Sequence, residues 1–147
     1  MSRILVLNGP NLNLLGQRKP EVYGRATLLD IEKMCKDHSA RKGYETQFLQ
    51  SNHEGALIDA LHQADGVFAG VIFNPGGYAH TSIALRDAIE AIGIPTIEVH
   101  LSDIRSRESF RHSSLIEDAA LDFVCGLGPE GYLRAIDLLV EHCVASN

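Results

Sequence analysis

Short apolar runs alternate with helix-length segments along the whole chain, and this alternation restricts the fold more than any single motif. The candidate strands are Arg3–Leu7, Glu45–Gln50, Gly66–Phe73, Pro95–His100 and Leu121–Gly126. The candidate helices are Thr27–Lys42, Glu54–Ala64, Ser82–Ile92 and Gly131–Ser146. In the first of these, Leu28, Ile31, Met34 and Cys35 fall on one helical face. Thr27, with Asp30 three residues on, resembles a capping box with a shortened acid. Strands joined through helices run parallel in one sheet, and the helices cover both of its faces. The strands read as nearly continuous apolar runs, as two covered faces require.

A chain of 147 residues, 45% hydrophobic, is one domain with a real core. Five such strands at this length predict a doubly wound α/β sheet of flavodoxin-like order 2-1-3-4-5. Two segments stand outside the alternation. Residues 17–25, with Lys19-Pro20-Glu21 and Tyr23-Gly24, read as a long loop and a candidate lid. Ser102–Glu117, polar and carrying Arg105, Arg107 and Arg111, reads as a short helix or an ordered loop.

The net charge of -6, with no Lys/Arg cluster among aromatics, argues against nucleic-acid binding. The acidic residues are scattered, as on a solvated surface. Cys35, Cys125 and Cys143 are odd in number and share no CxxC spacing, so they read as buried or incidental thiols in a reducing compartment. No stretch approaches the ~18 apolar residues of a membrane span. The apolar run after Arg3 is too short for a secretion signal, so a cytoplasmic location is expected.

Ligands of open parallel sheets bind beyond the carboxyl ends of the strands, at the switch in strand order. Here that brings together Asn8-Gly9-Pro10-Asn11-Leu12-Asn13, the run from Asn74-Pro75-Gly76-Gly77 to His80, and Glu98-Val99-His100-Leu101-Ser102. Three Asn, two Gly and one Pro within residues 8–16 exceed what a turn requires. Alternation puts Glu98 and His100 on one face of a strand end, where a carboxylate orients an imidazole for acid–base work; a surface ion pair is the plainer reading of the same spacing. Neither G-x-G-x-x-G nor a Walker A pattern is present, and His53, His80 and His100 match no zinc spacing. A flavin or nucleotide module and a metal hydrolase using His80 and His100 remain as alternatives from other classes.

Taken together, Asn8–Gly16, Arg18, Pro20 and Tyr23-Gly24, Gln50–Gly55, Asn74–Ser82, Ala84–Ala88, Ile97–Ser102, Arg107-Glu108, Phe110–Ser113 and Gly126–Gly128 resemble the type II 3-dehydroquinate dehydratases. The resemblance runs in order through nearly the whole chain. Lys19, Gly77, Ala79 and Asp103 depart from the commoner family residues, as do Ser114 and Leu115 after His112-Ser113. None removes a residue to which the family assigns chemistry.

The resemblance implies reversible dehydration of 3-dehydroquinate to 3-dehydroshikimate, an anti elimination through an enolate, with no metal or organic cofactor. It serves aromatic amino acid biosynthesis or quinate catabolism. By the same correspondence Tyr23 is the base, acting as tyrosinate, with Arg18 stabilising it. Bringing a tyrosine from about 10 to about 7 takes roughly 4 kcal/mol, which nearby cations supply. Asn11 serves the enolate oxygen, and His100 is the acid for the leaving hydroxyl, oriented by Glu98. Asn74, His80 and Arg111 bind hydroxyls. The backbone N–H groups of Leu101 and Ser102, with the Ser102 hydroxyl, take the carboxylate. Asp87 is expected at the site of a neighbouring subunit, since the family assembles trimers into a dodecamer.

Overall fold

The structure, a computed structural model, describes residues 2–17 and 19–147, with only the backbone at Tyr23. Arg18 and the Tyr23 side chain therefore lie outside what is described.

Five parallel strands form one sheet in the order β2-β1-β3-β4-β5, as the sequence predicts. They are β1 (Ser2–Asn8), β2 (Tyr44–Gln50), β3 (Gly70–Asn74), β4 (Thr96–His100) and β5 (Asp122–Cys125). The helices are α1 (Pro20–Tyr23), α2 (Leu28–Arg41), α3 (Glu54–Ala64), α4 (Ile83–Ala91) and α5 (Glu130–Ala145). Ile31 and Cys35 of α2 pack with Tyr132, Ile136 and Leu139 of α5 against Ile4, Val6, Ile72, Ile97 and Val99. On the other face Leu57 and Leu61 of α3 and Leu85 and Ile89 of α4 cover Leu5, Leu7, Val71 and Phe73. Alternation along β1 and β3 thus feeds two cores, one per face.

Local signals explain the helix starts. The Thr27 hydroxyl accepts from the Asp30 N–H at 3.1 Å and the Asp30 carboxylate accepts from the Thr27 N–H at 3.0 Å, so the shortened acid completes a capping box. Ser82 caps α4 by accepting from the Leu85 N–H at 2.9 Å.

The third strand differs from its expected range. It begins at Gly70, not Gly66, because Gly66 takes φ +77° and the N–H groups of Val67 and Phe68 fold back onto Ala64. Those residues close α3, and Val67 stays exposed. Continuous burial also fails at the edge: β2 alternates half-buried and exposed residues, because α2 packs on one of its faces and no helix of the described residues covers the other to a comparable extent. Ser102–Glu117 forms two short 3-10 turns, at Ile104–Ser106 and Ser109–Arg111, and a third, Glu117–Ala119, starts at its end.

Candidate active site

The register aligns the ends of β1 and β3, pairing Asn8 with Asn74. Both side chains are buried and share the phenol of Tyr132, which donates to Asn8 Oδ1 at 2.7 Å and accepts from Asn74 Nδ2 at 2.9 Å. Burial pushes the Tyr132 phenol well above its ordinary range, so it remains a protonated donor. Asn8 also donates to the Leu49 carbonyl at 3.0 Å. Asn8 is therefore scaffold, and the two loops beyond these asparagines start from a common anchor.

The loops then run against one another. The Gly9 N–H donates to the Asn74 carbonyl at 2.8 Å. A Cβ on Gly9 would stand 2.5 Å from the Pro75 carbonyl oxygen, so only glycine fits. Asn11 takes a left-handed conformation, φ 69°, and its N–H donates to Asn52 Oδ1 at 3.0 Å. Its own amide has no hydrogen bond among the described residues.

These turns enclose a cavity of about 150 Å³, room for far more than one water. Its polar lining is Asn11, Asn74, His80, His100, Ser102, Arg107 and Arg111, with Leu101 beside them. No carboxylate lines it among the described residues, although the chain carries a net charge of -6. Of the residues assigned by resemblance, Asn11, Asn74, His80, His100, Leu101, Ser102 and Arg111 thus meet at one place. Asp87 is exposed on α4 and does not line the cavity of its own chain.

Glu98 stands behind His100, fully buried, and its Oε2 accepts from His100 Nε2 at 2.5 Å. The arrangement is buried, so the surface ion pair is not what this spacing makes here. It leaves Nδ1 as the ring nitrogen of His100 with no hydrogen bond among the described residues. The ring of His80 is stacked beside that of His100, inclined by 22°, centroids 6.5 Å apart. His80 Nδ1 donates to the Ser113 carbonyl at 2.9 Å, and its Nε2 has no hydrogen bond among the described residues. Gly126 and Gly128 donate to the carbonyls of Ser102 and Leu101, whereas the N–H groups of Leu101 and Ser102 make no hydrogen bond among the described residues. They are donors suited to an anion.

Arg107 and Arg111 approach from successive turns of the 102–117 segment. Arg107 Nη1 donates to the Ser102 hydroxyl at 3.4 Å, and Arg111 Nε donates to Glu108 at 3.3 Å. The Glu108 carboxyl lies below its ordinary range, held there first by its own backbone N–H and then by Arg111 and Arg107. Sequence reasoning gave Arg107 no role, although its place in the arginine-bearing segment and its spacing from Arg111 were signals for one. The cysteines take no part in the cavity, and burial pushes the Cys35 thiol up to about 12. Among the described residues no three His, Cys, Asp or Glu side chains gather as a metal site. No helix of the described residues is long and apolar enough to cross a membrane.

Known proteins resemble the chain along nearly its whole length. The sequence model of the family "Dehydroquinase class II" matches residues 2–140. A 3-dehydroquinate dehydratase of Ruegeria pomeroyi is 56% identical over 142 residues, covering 97% of this chain and 95% of its own. One from Dinoroseobacter shibae is 52% identical, covering 98% and 96%. The crystal structure of the type II dehydroquinase from Butyrivibrio crossotus superposes with a TM-score of 0.92 at 42% identity, covering 94% of this chain and 97% of that one.

Proposed function

The chain belongs to the class II dehydroquinase family, and from that premise we propose how its own groups dehydrate 3-dehydroquinate, as a hydro-lyase of the shikimate pathway. The observation that carries the reading is a cavity lined by arginines, histidines and amides, without a carboxylate among the described residues, whose lining includes Leu101 and Ser102, two residues whose N–H groups make no hydrogen bond among the described residues. Such a lining suits a small polyhydroxylated carboxylic acid.

In this proposal the substrate carboxylate sits on the N–H groups of Leu101 and Ser102 and on the Ser102 hydroxyl. Tyr23, as tyrosinate supported by Arg18, removes the proton beside the ketone. The C–H electron pair moves into the enolate, whose oxygen is served by Asn11 through its uncommitted amide. The enolate then collapses: the neighbouring C–O bond breaks, and the departing hydroxyl takes a proton from His100 Nδ1 and leaves as water. Glu98 supports the ring from the opposite nitrogen, at 2.5 Å. His80 Nε2, Arg111 and the second N–H of Asn74 hold hydroxyls. Asn74 has the least freedom, because its other N–H is given to Tyr132 and its oxygen accepts from the Gly76 N–H at 3.1 Å.

The elimination runs anti and needs neither a metal nor an organic cofactor. The assembly is a dodecamer built from trimers in the cytoplasm, with Asp87 completing a neighbour's site; nucleic acid and membrane play no part.

The test is an absorbance assay for the conjugated enone formed from 3-dehydroquinate. Tyr23→Phe is expected to lower kcat by at least about a hundredfold while product still binds, in line with loss of a general base. Turnover near that of the parent enzyme would remove Tyr23 from the mechanism. Activity is expected to survive both exhaustive chelation and borohydride in the presence of substrate; loss to chelation would restore the metal reading, and loss to borohydride would indicate a lysine imine.

A further inference from the structure

Behind the cavity wall, three consecutive residues hold both of its imidazoles. The Ser113 carbonyl accepts from His80 Nδ1 at 2.9 Å. The Ser114 hydroxyl donates to Glu98 Oε2 at 2.7 Å. Leu115 is clamped on both sides: its N–H donates to the Ala79 carbonyl at 2.8 Å, and its carbonyl accepts from Arg86 Nη1 at 2.8 Å. Residues 113–115 therefore form a strap anchored on α4 and on the turn that carries His80.

The weakest point of this arrangement is Glu98. Its carboxylate is fully buried, and Oε1 has no hydrogen-bond partner among the described residues. Everything that holds the group meets at Oε2, where His100 and Ser114 both donate. A buried carboxylate normally has more partners than that, so each of the two counts. Without Ser114, only His100 would hold the side chain that is supposed to hold His100.

We propose that Ser114 is a positioning residue of the elimination: by fixing Glu98 Oε2 it fixes the direction in which His100 Nδ1 meets the leaving hydroxyl. This rests on His100 being the acid, as assigned above. Ser114 touches neither substrate nor reacting atoms, and it does not line the cavity. It has a local duty as well, because its oxygen accepts from the Ile116 N–H at 3.1 Å. A test must separate the two duties.

Ser114→Ala is expected to lower kcat roughly tenfold, the factor that matches one lost charge-assisted hydrogen bond, with KM within about twofold. Ser114→Thr keeps the hydroxyl and is expected to restore the rate. Ser114→Cys, a weaker donor of similar shape, should fall between them and serves if the alanine variant folds poorly. The His100 Nε2–H proton resonance, followed by NMR in the assembled enzyme, should move in Ser114→Ala and return in Ser114→Thr. In a His100→Gln background, Ser114→Ala should cost nothing further in kcat, because the residue through which it acts is gone. An unchanged kcat in Ser114→Ala, or an equal loss in both backgrounds, would overturn the positioning role and leave only the local turn. Near-parental kcat in His100→Gln alone would instead overturn the acid assignment, and the positioning role with it.

Discussion

At the scale of single residues, the site depends on atoms that never meet the ligand. Tyr132 is the clearest case, since one phenol satisfies Asn8 and Asn74 at the ends of two strands. Tyr132→Phe keeps the ring and leaves two buried amide groups each short of a partner. It should destabilise by about 2 kcal/mol or more, read as a lower midpoint of chemical denaturation. It should also reduce kcat, because both loops lose their common anchor; an unaltered midpoint would show that the two amides find other partners. The sequence made Asn11, Asn74, His80, His100 and Glu98 legible as candidates, since strand ends and alternation place them. It did not make Tyr132 or Ser114 legible. Their partners lie 124 and 16 residues away, and a tyrosine on a helix or a serine in a loop has nothing in its own neighbourhood to set it apart.

At the scale of elements, α2 and α5 lie side by side on one face of the sheet and are tied at the surface as well as in the core. Asp137 of α5 accepts from His38 Nε2 at 2.7 Å, and Lys42, just past α2, lies 3.1 Å from the same oxygen. Partial burial pushes the Asp137 carboxyl up, but the hydrogen bonds and charges of His38 and Lys42 outweigh it and leave the group below its ordinary range. A carboxyl depressed in the folded state stabilises the fold above its unfolded value and loses that contribution as pH falls through its folded value. Asp137→Asn should therefore cost at most about 1 kcal/mol near neutrality, since the trio is partly solvated. The difference from the parent protein should shrink below about pH 4 and then vanish. Thermal melts across that range measure it; a difference that persisted in acid would point to a packing effect. Element existence and order were readable from hydrophobic period alone. The start of β3 was not, because Gly66, Val67 and Phe68 look like strand in sequence, while a positive φ at Gly66 folds the N–H groups of Val67 and Phe68 back onto the end of α3.

At the scale of the whole molecule, the sheet's outer strands and the exposed face of α4 carry what a single chain leaves unused. Asp87 lies there, away from its own cavity. On the proposal that it completes a neighbour's site, mixing two inactive variants should regenerate activity. A subunit bearing Asp87→Ala supplies an intact Tyr23, and one bearing Tyr23→Phe supplies the missing carboxylate from next door. Co-assembled mixtures should recover a sizeable fraction of the parental rate, whereas each variant alone stays inactive. No recovery in a particle shown to contain both chains would make each site self-contained. The charge pattern belongs to this scale too: in a chain of net charge -6 the cavity is lined by Arg107 and Arg111 and, among the described residues, by no carboxylate, so an anionic substrate is favoured inside it.

The segment that carries the proposed base leaves and re-enters the fold at nearly one point. A Cβ at Gly16 would stand 3.1 Å from both the Arg25 carbonyl oxygen and the Thr27 methyl group. The chain between is therefore a cassette with a closed hinge line, and its length is decoupled from the sheet. Changing the length of such a loop costs little in closure entropy, so relatives can exchange it whole without disturbing the frame. Differences in inhibitor preference among such enzymes would then travel with this cassette, and a graft of residues 17–24 between two of them would carry the preference across.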